Sequence, residues 1–319
     1  MIKLIVLSQD RASQCDVLLS SIFSRFEAAI PYSVTVVFGA SNEHYAEGYT
    51  YLQKKYSQQN VEFKNIVVTD KHHSSAYTNV LNLARILKDS SLSKKKTNFK
   101  EVLESSLTGS SHIGLFTDEC IIYKQMRITT EILNLLSVSS SSTTFSTRLG
   151  MNVIQKPQNI RDQTRYCLWN SSNEVSSLWS ESFSVKGNLY DAEFLIEFLR
   201  PLYYNSVQTL EKYASESVKK YKALQKNYCF HRQRVVEVHI DEAKSFSRKE
   251  INNEYIQGNE LHFVIPDAIN KPSVDAINVG FNVGAASTYT EVPPSVLTQK
   301  IIHEGKHKIA YRTNTKVGL

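Results

Sequence analysis

The sequence predicts an α/β fold: a mostly parallel central sheet flanked by helices, followed by an irregular C-terminal extension. Three observations predict it. Short apolar runs occur at residues 2–7, 33–38, 61–68 and 112–117. Segments with apolar residues at helical spacing fall between them, the alternation expected of strands feeding helices around a parallel sheet. Beyond Gly258 the periodicity fades, and residues 259–319 hold four of the seven prolines.

Residues 2–7 read as a buried first strand. Val17, Leu18, Ile22, Phe23 and Phe26 place a helix over 12–29, which Pro31 ends. SVTVVF at 33–38 is the second β-rich run. Asn42 is a plausible cap for a helix over 43–57. VEFKNIVV at 61–68 is a third strand, and Val80, Leu83, Ala84 and Leu87 mark a helix over about 74–89. A polar loop follows, then a helix at 98–107 and the fourth strand, HIGLFT, at 112–117. The second half carries predicted helices at 126–137, 191–199, 207–225 and 247–257, and β-rich runs at 143–149 and 234–240. No internal repeat is evident. The division is a domain over 1–258, with halves 1–125 and 126–258, and an extension over 259–319.

With 41% apolar and 21% charged residues, 17 tyrosines and 14 phenylalanines, the chain has ample core material and is not disordered. A net charge of +6 is mild and spread along the chain, so it demands no nucleic acid partner. Cys15, Cys120, Cys167 and Cys229 are scattered without a CxxC or a Cys/His cluster, which argues against a disulfide framework or zinc module. No apolar run reaches membrane-spanning length, and the apolar start is too short for a signal segment. The expected location is cytoplasmic.

Ligands of open α/β sheets sit beyond the carboxyl ends of the strands. Those ends carry Ser8-Gln9-Asp10-Arg11, Phe38-Gly39-Ala40-Ser41, Thr69-Asp70 and Thr117-Asp118-Glu119. Neither GxGxxG nor GxxxxGK[ST] occurs, which removes the main support for dinucleotide and P-loop readings. Asp118 and Glu119 would repel unless a cation or ligand compensated them, and such a pair suits Mg²⁺ or Mn²⁺ bridging a diphosphate. A surface turn with two solvated acids is the other reading.

Five segments in order resemble bacterial family-2-type GT-A glycosyltransferases that build capsule, O-antigen or related surface polysaccharides. They are LIVLSQDRASQCDVLLSSI, VTVVFGASNEHYAEGYTYLQKKY, HIGLFTDECIIYK, FSTRLGMNV and SFSVKGNLYDAEFL. The resemblance covers residues 1 to about 260 and implies a GT-A, Rossmann-like fold and an inverting transfer from a nucleotide-diphosphate sugar to a saccharide acceptor. It implies that Ser8, Asp10 and Arg11 line the nucleotide pocket, with Phe38, Gly39 and Ser41 near base and ribose. Asp118 would hold sugar hydroxyls or a metal, and Glu119 would ligate a cation. Arg148 would contact the donor or order the site. Two departures stand out: the acid element reads Asp118-Glu119-Cys120, and Lys186 replaces an expected aspartate. Lys186 could neutralise a phosphate, while Glu181 and Asp191 are the candidate bases.

Trp169 and Trp179 could stack on an acceptor sugar or fill the core. His72, His73, His231 and His239 lack metal-ligand context. Lys212, Lys219, Lys220, Lys222 and Lys226 give a basic amphipathic helix that could rest on anionic lipid, as a lipid-linked acceptor would suit, or face solvent. The extension could exchange between subunits of a homo-oligomer. Two other functions compete: a catalytically inert saccharide-binding or scaffold module, and a nucleotidyltransferase, which would carry a Gly-rich basic loop after its first strand.

Overall fold

Apolar side chains alternate along the first strand, and that alternation sorts the molecule into layers. The structure, a computed structural model, describes residues 1–41, 43–69, 96–153, 156–173, 178–239 and three short strands at 264–266, 273–275 and 289–291. In chain order the elements are β1 (Ile2–Gln9), α1 (Ala12–Arg25), β2 (Phe26–Ala28), β3 (Tyr32–Gly39), α2 (Glu43–Lys55), β4 (Val61–Asn65), β5 (Val68–Thr69) and β6 (Lys96–Thr97). Then follow α3 (Phe99–Leu107), β7 (His112–Thr117), β8 (Cys120–Ile122), β9 (Met126–Ile128), α4 (Thr130–Val138), β10 (Thr143–Ser146), β11 (Arg161–Asp162) and β12 (Tyr166–Asn170). The last are β13 (Asn188–Asp191), α5 (Ala192–Leu199), α6 (Val207–Tyr221), β14 (Lys226–Phe230), β15 (Val235–His239), β16 (Val264–Pro266), β17 (Ser273–Asp275) and β18 (Tyr289–Glu291).

On one face of β1, Ile2, Leu4 and Val6 share a core with Leu18 and Ile22 of α1, Tyr49 and Leu52 of α2, and Ile132 and Leu136 of α4. On the other, Ile5 and Leu7 pack with Leu103 of α3, Leu195 of α5 and Leu210, Ala214 and Val218 of α6. The sheet is therefore covered on both sides, as the α/β reading requires. Each fully buried Leu or Ile of β1 contributes about 1.5–3 kcal/mol.

The central sheet has nine strands in the order β11-β12-β14-β10-β13-β7-β1-β3-β4. β7, β1, β3 and β4 are mutually parallel. β13 runs antiparallel to both β7 and β10, and β10 is parallel to β14. Two reversals restore direction, so the carboxyl ends of β1, β3, β7, β10 and β14 lie along one edge. A smaller sheet, β17-β15-β8, stands at that edge because β8 follows β7 after a two-residue turn. The first-half strands fall where the sequence puts them, except that the run at 61–68 divides into β4 and β5; antiparallel pairing enters the central sheet only with the second half, while β5 pairs antiparallel with β6 outside it.

Three predicted helices are shorter than their periodicity suggests; that over 207–225 stops at Tyr221, where Lys222 turns left-handed. The helix over 12–29 ends at Arg25 because residues 26–28 pair in parallel with β9. The helix over 126–137 gives up its first turn to β9 and begins behind the Thr129 cap, whose side chain accepts from the Ile132 N–H. The helices placed over 74–89 and 247–257, the Asn42 cap, Asp70, His72 and His73 lie outside the described residues, as does most of 259–319. Among the described residues, no helix is long and apolar enough to cross a membrane.

Candidate active site

Asp118 ends β7, where the strand leaves the core, and its carboxylate turns back under the end of β1. Its backbone N–H still donates to Leu7 O at 3.1 Å, extending the β1–β7 pairing by one residue. Oδ2 accepts from Ser8 Oγ at 2.9 Å and from the Gln9 N–H at 3.2 Å. Arg11 Nη1 approaches Oδ1 at 3.5 Å and also pairs with Glu119. The predicted repulsion between Asp118 and Glu119 is thus met by an arginine of the same chain. Burial pushes the Asp118 carboxyl up to about 6; Arg11 opposes that rise and Glu119 adds to it.

A directional hydrogen-bond chain leads into this carboxylate. Each hydroxyl has one proton to give. Ser8 spends its proton on Asp118, so Tyr49 Oη, 2.6 Å away, donates to Ser8 Oγ. Tyr49 in turn accepts from the Arg11 N–H at 3.1 Å. Burial, then the Asp118 charge, push the Tyr49 phenol well above its ordinary range. Tyr49 escaped the sequence reading because it sits mid-helix in α2, where an aromatic reads as core. Phe38 explains how it is held: its buried ring stacks on Tyr49 with centroids 4.3 Å apart.

Asp10 joins two strand ends. Its φ of 55° lies in the left-handed region, which aspartate tolerates better than most residues. That turn lets its N–H donate to Gly39 O at 3.0 Å while Oδ1 accepts from the Ser41 N–H at 2.6 Å. Ser8, Asp10, Arg11, Gly39, Ser41, Asp118 and Glu119 therefore come together, as expected from their strand-end positions. Arg11 is also the N-cap residue of α1, a helix with no acidic residue in its first turn. The positive end of that helix dipole faces the same place.

A second charged group lies beside the first. β15 pairs with β8 so that Glu237 stands opposite Cys120, two residues after Asp118. Glu237 is only 2% exposed and binds two cations: Arg148 Nη1 at 3.3 Å and Lys186 Nζ at 2.5 Å. Arg148 Nη2 also reaches Glu181 at 2.9 Å. Burial alone would lower the pKa of Arg148 and of Lys186, but the facing carboxylates more than offset it, so both are raised and stay charged. Burial raises Glu211, which accepts weakly from the Val185 N–H at 3.4 Å. Two glycines make the geometry feasible. Gly187 has φ 91°, where a Cβ would lie 2.7 Å from Thr147 Oγ1, and a Cβ on Gly150 would lie 2.4 Å from Gln233 N. Neither position admits a side chain without displacement.

The structure separates the two candidate bases. Glu181 is half exposed and joined to this cluster through Arg148. Asp191 is a correction: it pairs with His112 at the opposite end of β7 and caps α5 by accepting from the Phe194 N–H at 3.0 Å. Six residue steps separate His112 from Asp118, which puts Asp191 roughly 20 Å from Asp118 along the strand. Lys186 is another, since its charge is met by Glu237 rather than left open for a phosphate. Trp169 and Trp179 are buried edge to face at 4.8 Å, with Trp169 Nε1 donating to Trp179 O, so they build core.

The acid pair fits a divalent cation poorly. Both Asp118 oxygens already accept hydrogen bonds, and Arg11 occupies the position between the two carboxylates.

No protein-family model matches the chain, and no curated protein is similar to it. Its fold overlays distantly on solved glycosyltransferase structures. Residues 1–349 of S. aureus TarS in complex with UDP match with TM-score 0.42 and 10% identity, over 74% of this chain and 60% of that one. The mannosyltransferase PcManGT from Pyrobaculum calidifontis, in complex with GDP-Man and Mn²⁺, gives 0.36 and 9% over 73% and 54%. The bifunctional glycosyltransferase WbbM gives 0.34 and 11% over 67% and 37%. The chain thus spans less than two thirds of each.

Proposed function

We propose that this protein is an inverting glycosyltransferase that moves a sugar from a nucleotide-diphosphate donor to a saccharide acceptor. The observation that carries this reading is the shared edge. An arginine-compensated acid cluster at the ends of β1 and β7 adjoins a second charged cluster on β15 and the loops after β10 and before β13. The first group suits the donor. The α1 N-terminus supplies positive potential for a diphosphate, toward which Arg11 turns from its two carboxylates, and Asp118 and Glu119 so released accept from ribose or sugar hydroxyls. Residues 1–125 then form the nucleotide-binding half and 126–258 the acceptor half.

Glu181 is the proposed base. Its carboxylate takes the acceptor hydroxyl proton, the freed oxygen bonds to the anomeric carbon from the face opposite the diphosphate, and the carbon–oxygen bond to the diphosphate breaks. Arg11 offsets charge on the departing nucleoside diphosphate, the role a metal plays where the acids are free to bind one. Arg148 positions Glu181 from below. A cytoplasmic enzyme of surface-glycan synthesis agrees with the five resembling segments. Exposed Lys212, Lys219, Lys220 and Lys222 on and after α6 would let it rest on the inner face of a membrane to meet a lipid-linked acceptor. Residues 259–319 would serve as an extension, with subunit exchange as one use.

One observation favours an inert saccharide-binding module instead: Arg148 and Lys186 are both satisfied by internal carboxylates. Nucleoside diphosphate release from a panel of UDP-, GDP-, CDP- and dTDP-sugars decides between them. Release with one donor class, falling about 10²–10³-fold in Arg11→Ala, is the expected result. Saccharide binding without release from any donor, in folded protein, would establish the inert module.

A further inference from the structure

Sequence spacing shows no metal-binding cysteine motif, yet the fold assembles a mixed donor set at the far end of the sheet. β11, β12 and β14 are consecutive antiparallel strands. Their register sets Asp162 opposite Cys167, and Cys167 opposite Cys229. Directly opposed residues in antiparallel strands project on the same face, so one row runs Asp162, Cys167, Cys229. His231 follows two residues after Cys229, one step beyond the strand end, and returns to that face. One ligand atom each from Asp162, Cys167 and His231 lie within 4.8 Å of one another.

We propose that Asp162, Cys167 and His231, completed by Cys229, form a zinc-type metal site. Two thiols, an imidazole and a carboxylate are the soft and borderline donors that select Zn²⁺ over Mg²⁺ or Ca²⁺. A tetrahedral zinc site holds its donor atoms about 3.3–3.8 Å apart. Asp162 and His231, the two members nearest solvent, already touch at 2.6 Å, and His231 Nε2 also lies 2.8 Å from Gln163 O, a contact that the metal would replace. Cys167 and Cys229 are buried, free of any disulfide, and packed in an apolar cluster with Leu149, Val153, Trp169 and Trp179. That floor excludes water from one side of the ion. The site would also pin β11, a two-residue exposed edge strand whose one neighbour in the sheet is β12. A metal here joins residue 162 to residue 231 and fixes the outer end of the sheet. The inference does not depend on the transferase reading.

Full-length protein, purified under reductant and stripped with a chelator, is titrated with Co²⁺ alone. The expected result is one cobalt per chain, with a thiolate-to-cobalt charge-transfer band and tetrahedral visible bands that Zn²⁺ removes. His231→Gln and Asp162→Asn alter exposed side chains, so both variants should fold. Each should weaken Co²⁺ binding by more than the roughly 10–100-fold typical of outer-shell partners. Cys229→Ser should halve the charge-transfer intensity. Absence of the charge-transfer band in reduced, folded protein would overturn the site. So would a band that both exposed variants leave unchanged.

Discussion

The two charged clusters at the strand-end edge handle like charges in opposite ways. In the first, two acids share one partly exposed arginine, and the acid that is buried, Asp118, has its carboxyl pushed up to about 6. In the second, two cations share one acid that is 2% exposed, and both cations stay charged. The first is poised to change charge or accept a ligand. The second is closed on itself, with Glu181 as its solvent-facing end. The comparison assigns binding and titration to the first cluster and rigidity to the second.

The largest expected effect tests that rigidity. Glu237→Gln leaves buried Arg148 and partly buried Lys186 side by side without their shared acid and should cost about 3 kcal/mol in urea unfolding. Glu181→Gln removes a half-exposed partner of Arg148 and should cost about 1 kcal/mol or less. Equal losses from the two variants would contradict a network centred on Glu237.

A smaller effect tests the titrating cluster. The Asp118 carboxyl is raised from 3.8 to about 6, so between those pH values the folded state binds more protons than the unfolded chain. Its contribution therefore costs nothing below about pH 4, grows more unfavourable up to about pH 6 and stays at its full cost above that. The shift corresponds to up to about 3 kcal/mol. Asp118→Asn lacks this titration, so its stability relative to wild type should improve from pH 4 to pH 7. Parallel pH profiles of the two proteins would show that Asp118 carries no such shift.

The smallest effect checks the residue that the fold removed from the site. Asp191→Ala should lose about 1 kcal/mol of stability as a helix cap and leave nucleoside diphosphate release unchanged. A variant that folds normally but loses release would return Asp191 to the chemistry.

How much of this was legible follows the same division. The first cluster was readable because each member stands at the end of an apolar run, and parallel strands bring such ends together without knowledge of register. β1, β3 and β7 and the residues after them fell where periodicity put them. The second cluster depends on residues 148, 181, 186 and 237, which only antiparallel pairing brings together. Nothing in RVVEVHI marks Glu237 as buried, yet the fold leaves it 2% exposed between Arg148 and Lys186. Tyr49 was hidden by its helix, and the Asp162–Cys167–Cys229 row by a register that spacing does not encode. Arg11 was named for the pocket, but its position between Asp118 and Glu119 required the coordinates.

The central claim is that Arg11 and the acid pair bind a nucleotide without a metal. The most direct test is a thermal-shift series with UDP, GDP, CDP and dTDP in excess chelator, repeated with Mn²⁺ and with Arg11→Ala. One nucleotide should stabilise the chelated wild-type protein, by about 2.7 kcal/mol at a hundredfold Kd, and Arg11→Ala should abolish the gain. A shift that appears only with Mn²⁺, or no shift with any nucleotide, would contradict it.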